Sequence, residues 1–115
     1  MVVLVAVLAG CSAGPAVEAE REPTETVDRR GAVLLEAVTN PENLREVSAF
    51  SEATPESVAQ HAEATCDDLR AAMPMADVWR NVMERDGIDM FDADYFTRAS
   101  AKLYCPRYQR EAGYL

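Results

Sequence analysis

Apolar residues recur at helical spacing along most of this chain, and no stretch alternates apolar with polar over the length of a strand. Val27, Gly31, Leu34, Leu35 and Val38 share one helical face, and Asn40-Pro41 stops it because the residue before a proline is pushed out of the α region. Gly31 inside this helix costs about 1 kcal/mol relative to alanine. Leu44, Val47 and Phe50 then suggest a short turn of helix or an irregular apolar segment. The clearest start is Thr54-Pro55-Glu56: a good N-cap, a proline suited to the first helical position and an acid at the positive end of the helix dipole. Val58, Ala62, Thr65, Cys66, Leu69 and Met73 continue as one stripe until Pro74. Met75, Val78, Trp79, Val82 and Met83 form the next, with Gly87 placed to end it. For the last helix, Asp92 is the expected cap, Phe91 the expected staple onto Phe96, and Phe96, Ala99, Leu103 and Tyr104 the buried face before Pro106.

The expected fold is therefore all-α: a small bundle of three to four helices over residues 27–108, followed by a polar tail at 109–115. Upstream the pattern changes. Residues 11–26 are small, acidic and interrupted by Pro15 and Pro23, with Val17 as the only sizeable aliphatic residue. Such a stretch cannot bury enough surface to fold, and is read as a disordered N-terminal tether reaching on the order of 20 Å. Before it, the apolar run Val2 to Leu8 has the length of a signal-peptide core and falls short of the roughly 18 to 20 apolar residues that span a bilayer. It leads into Leu8-Ala9-Gly10-Cys11, which resembles the lipobox of an exported bacterial lipoprotein. On this reading residues 1–10 are a signal peptide and Cys11 is the lipidated first residue of the mature protein. The run lacks the Lys or Arg that normally opens a signal peptide, so a truncated signal with its start upstream of Met1 is expected.

Composition narrows the partners. The net charge is −9, none of it in residues 1–10. An acidic chain is repelled by nucleic acid and by anionic headgroups, which argues against nucleic-acid binding and against membrane attachment through a basic patch. The expected anchor is lipid on Cys11, a diacylated cysteine supplying the two chains that stable attachment requires. The chain has three cysteines. With Cys11 consumed by lipid, Cys66 and Cys105 form an even pair, which in an exported chain reads as one disulfide clamping the two helices that carry them. Two free buried thiols are the alternative, and they require a cytosolic chain.

The segment Cys66-Asp67-Asp68-Leu69, then Val78 and Val82, then Phe96 and Ala99, then Tyr104-Cys105-Pro106 resembles the family catalogued as domain of unknown function 732, small secreted or lipid-anchored proteins of mycobacteria and their phages. The resemblance covers roughly residues 55–106. It implies an all-helical, disulfide-bonded domain outside the cytoplasmic membrane, and it implies no catalytic residues. The chain departs from the pattern at Glu36 to Ser51, which lack its Gly-rich turn.

Candidate chemistry is sparse. His61 is the only histidine and its i+4 neighbour is Thr65, so a packed or solvated ring is expected and not a metal ligand. Asp86, Asp89, Asp92 and Asp94 invite a calcium reading, but Ile88 and Met90 stand where a twelve-residue calcium loop needs acids, and capping of the last helix accounts for Asp92 and Asp94. Met75, Trp79 and Met83 are expected in the core. Tyr108 and Tyr114 are the candidates for partner contact, since tyrosine is enriched at interfaces. With one histidine and paired cysteines there is no credible nucleophile–base set, so no catalytic residue, metal or cofactor is expected. The functional expectation is a non-enzymatic envelope lipoprotein acting as an interaction module at the outer face of the membrane against an unknown envelope protein partner. If it is phage-encoded, modulation of the host surface such as superinfection exclusion is the natural role. The alternative is an envelope carrier of a small hydrophobic ligand or cation, which needs a cavity of a few hundred Å³.

Overall fold

A computed structural model describes residues 29–115. Val27, the signal and tether segments and Cys11 lie outside the described residues. The first helix, α1, runs through residues 29–38, followed by a 3-10 turn at Val47–Phe50. Then come α2 (Pro55–Arg70), α3 (Met75–Asp86) and α4 (Met90–Tyr104), a second 3-10 turn at Pro106–Tyr108 and the short α5 (Gln109–Ala112). No strand occurs among the described residues.

The expected stripes face the core. Leu34 and Val38 of α1, Val58, Ala62 and Cys66 of α2, and Val78 and Val82 of α3 are all essentially inaccessible. The helix α4 is the hub, packed against α2, α3 and the C-terminal turns. Its inward face is mostly small, with Ala93, Thr97, Ala99, Ser100 and Ala101 buried. Small residues let neighbouring backbones approach, and one large ring, Phe96, fills the centre by stacking on Phe50 at 5.8 Å between centroids. Cys66 and Cys105 are joined, tying the inner face of α2 to the end of α4 across 6.0 Å between Cα atoms. At the same end the Arg30 guanidinium lies 4.4 Å from the centroid of the Tyr104 ring and donates to the Leu103 carbonyl, fastening α1 to α4.

Helix boundaries follow local chemistry. The Thr54 hydroxyl accepts from the Ser57 amide at 3.0 Å, and the Ser57 hydroxyl accepts from the Thr54 amide at 2.9 Å, a capping box with serine in the reciprocal position. The helix does not reach Met73. It ends at Arg70, where Ala72 turns into the left-handed region at φ 59° and the amides of Ala72 and Met73 donate back to Leu69 and Asp68. This is a Schellman termination with alanine where glycine is usual. Pro74 has a secondary part, since it only forbids Met73 from resuming the helix. Gly87 ends α3 as expected, at φ 67°.

The start of α4 corrects the sequence reading. Asp89, not Asp92, is the cap, and its carboxylate accepts from the Asp92 amide at 2.9 Å. Phe91 is 55 % exposed and lies beneath the Arg45 guanidinium, so it does not staple onto Phe96. Asp92 is fully buried and accepts from the amides of Arg45 and Glu46 at 2.8 and 3.0 Å. Two aspartates three apart offered two possible caps, and the inward position went to the one that could satisfy the loop before the first 3-10 turn. Asp92→Ala leaves both amides without that acceptor and should cost about 2 kcal/mol. Urea denaturation checks this, with Asp92→Asn, which keeps one acceptor oxygen, falling between the two. Past residue 108 the expected tail holds α5, with Ala112 buried against the bundle.

Candidate functional site

Between the start of α2, the end of α3 and residues 49–53 lies a cleft of about 350 Å³, open to solvent. Phe50, Val58 and Ala53 give it apolar walls, and His61, Arg85 and Asp86 converge on it from two helices. The Nδ1 of His61 stands 2.6 Å from Oδ1 of Asp86. The histidine side chain is 37 % exposed and the aspartate only 2 %. Arg85 sits behind them, Nε 3.8 Å from the same Oδ1, with an Nη2–H donating to the Thr65 hydroxyl at 2.9 Å. That hydroxyl in turn donates to the His61 carbonyl at 3.0 Å. The trio is thus supported by a residue of the α2 core stripe.

Asp86 is the unusual member. Burial pushes its carboxyl above the usual carboxylate range, and the charges of His61 and then Arg85, with the hydrogen bond from His61, pull it partly back. It is also the last residue of α3, the negative end of that helix dipole, where a carboxylate is disfavoured. An acid at that position is held by its partners. Of the hydroxyls lining the cleft, that of Ser57 is occupied by the Thr54 amide and carbonyl. The arrangement can orient and polarise a ligand through a buried carboxylate and the guanidinium beside it.

The other expected residues are dispersed. The four aspartates go to separate partners: Asp86 to His61, Asp89 to the α4 cap, Asp92 to the Arg45–Glu46 amides and Asp94 to Arg98 at 3.0 Å. Trp79, Met75 and Met83 are half-buried and packed on the rim of the core. Tyr108 is also half-buried against the core, whereas Tyr114 is 63 % exposed. No helix among the described residues is long and apolar enough to cross a membrane.

The His61–Asp86 pair was missed from sequence because the partners lie 25 positions apart on different helices. The available signal was an aspartate directly before a helix-ending glycine, a carboxylate at the wrong end of a dipole.

Fold and site together define a small all-helical domain, clamped by a single buried disulfide and bearing a polar cleft with apolar walls. The chain belongs to the family described as protein of unknown function (DUF732), whose model matches residues 42–107, more than half of its length. The match begins upstream of α2 and takes in the first 3-10 turn and the Arg45–Glu46 amides that rest on Asp92. No curated protein and no solved structure matches the chain.

Proposed function

We propose that the protein is a non-enzymatic lipoprotein of the cell envelope, held at the outer face of the membrane by acyl chains on Cys11 and acting as an interaction module through its disulfide-clamped domain. The observation that carries this reading is the Cys66–Cys105 bridge. Such bonds persist in oxidising compartments and are rare in the cytosol. A chain that keeps a bridge between two cysteines and carries the third at the end of Leu8-Ala9-Gly10-Cys11 fits export followed by lipidation. The acidic charge leaves lipid, in preference to a basic patch, as the means of attachment. Mass spectrometry of the membrane fraction should find Cys11 diacylated at the mature N-terminus, and Cys11→Ala should move the protein out of that fraction. An unmodified Cys11 in the membrane-bound protein overturns the proposal.

In a phage genome the same display would modulate the host surface. Deleting the gene from a lysogen should then raise infection by a second phage, and unchanged infection removes that role. The alternative of a carrier for a hydrophobic ligand asks for an enclosed apolar cavity. The cleft beside His61 is open and mixed in character, which favours a polar ligand over an apolar cargo.

A further inference from the structure

We infer that the cleft beside His61 is a binding site for a neutral carboxamide, whose carbonyl oxygen accepts from Arg85 Nε–H and whose N–H donates to Asp86 Oδ2. Two buried polar atoms of opposite sense carry the argument. Asp86 Oδ2 is an acceptor and Arg85 Nε–H a donor, and each is buried without a hydrogen-bond partner in the protein. They belong to adjacent residues that face the same cleft. Buried groups of this kind are costly when unmatched, by the full desolvation of each. A planar amide offers one acceptor and one donor side by side, so it answers both at once.

The cleft carries charge of both signs. An anion entering the cleft meets the carboxylates of Asp86 and Glu52, and a cation meets the guanidinium of Arg85. A neutral donor–acceptor group meets no such opposition. Ala49 and Ala53, which line the cleft without being buried, suit the alkyl part of the ligand, and about 350 Å³ lies within the size range of small-ligand pockets. A sugar is neutral too, but the ring of Phe50 is 4 % exposed and stacked on Phe96, so no aromatic face is offered to a sugar ring. The ligand enters on the side of His61, the exposed member of the trio.

The carboxamide has two sources: the side chain of an asparagine or glutamine on a partner protein, or a free small amide. The inference does not depend on the lipid anchor, so its failure is separate from failure of the Cys11 experiment. The test uses the full chain, ¹⁵N-labelled with its disulfide intact, and follows the Arg85 Nε–H and His61 ring resonances during titration. The probes are propionamide, its charged isosteres propionate and propylammonium, methyl glucoside, and end-blocked Gly-Gln-Gly. Propionamide should shift both resonances saturably, and the two charged isosteres and the glucoside should not. Arg85→Lys, which keeps the charge but has a methylene in place of Nε, should weaken propionamide binding about tenfold. Tighter binding of the glutamine peptide than of propionamide assigns the site to a protein partner, and the reverse to a free amide. Equal binding of the charged isosteres, or saturable binding of the glucoside alone, overturns the inference. So does an Arg85→Lys chain with an unchanged melting temperature and undiminished binding. The probe series on the unmutated chain decides the matter if that variant melts early.

Discussion

Replacing Cys66 and Cys105 together by alanine should cost the domain about 4 kcal/mol. The bridge closes a segment with a sequence separation of 39, and the chain-entropy account gives that figure for a loop of about this length. The loss is large because the rest of the fold has little in reserve. A domain of this size buries a modest share of its surface and has a total stability on the order of 5–10 kcal/mol. Both cysteines lie in the core, at 0 % and 5 % exposure, so alanine also removes packed sulfur from the junction of α2 and α4. Alanine is preferred to serine because a hydroxyl at position 66 would be buried. Urea denaturation of the parent chain and the double variant measures the difference, and adding a reductant to the parent should lower its midpoint in the same direction. A double variant within 1 kcal/mol of the parent would show that the helices hold their places without the clamp.

The clamp was legible in the sequence, and so were the stripes of α2, α3 and α4. These rest on short-range rules: a Thr-Pro start, a glycine stop, an apolar residue every third or fourth position, and an even cysteine pair. The errors arose where two local solutions were equally good. Asp89 and Asp92 both sat at plausible cap positions, and only the Arg45 and Glu46 amides, more than 40 residues upstream, decided between them. The stripe of α2 ran on to Met73 by periodicity, whereas Ala72 in the left-handed region ended the helix earlier. Alanine gives no hint of such a turn, which glycine would have announced.

The site was less legible than the fold because it is made by packing. His61 had no partner within a helical turn, and Asp86 was grouped with its sequence neighbours. The antiparallel approach of α2 and α3 is what sets one against the other, and it turns an apparently idle histidine and a surplus aspartate into the polar floor of a cleft. Tyr108 and Tyr114 look alike in sequence, and only the docking of the C-terminal turns separates the packed ring from the exposed one.

Gly31→Ala should destabilise the domain by about 2 to 3 kcal/mol, although alanine is the better helix former by about 1 kcal/mol. Read locally, this glycine is a weakness in α1. In the folded chain it is buried at the point where α1 meets Pro55, the first residue of α2. A Cβ added there would overlap the Pro55 carbonyl oxygen and stand 2.9 Å from the carbonyl carbon and 3.3 Å from the Pro55 Cα. All three atoms are backbone, so no rotamer change relieves the contact. Either α1 lifts away, exposing Leu34 and Val38, or the start of α2 shifts together with the Thr54 cap and the cleft wall at Val58. Urea denaturation gives the magnitude, and Val33→Ala, half-exposed on the same helix, serves as the control and should change stability by less than about 0.5 kcal/mol. The His61 ring resonances report the route: displaced in Gly31→Ala if α2 moves, unchanged if only α1 lifts. A Gly31→Ala chain as stable as the parent would mean that α1 does not dock against Pro55 in solution.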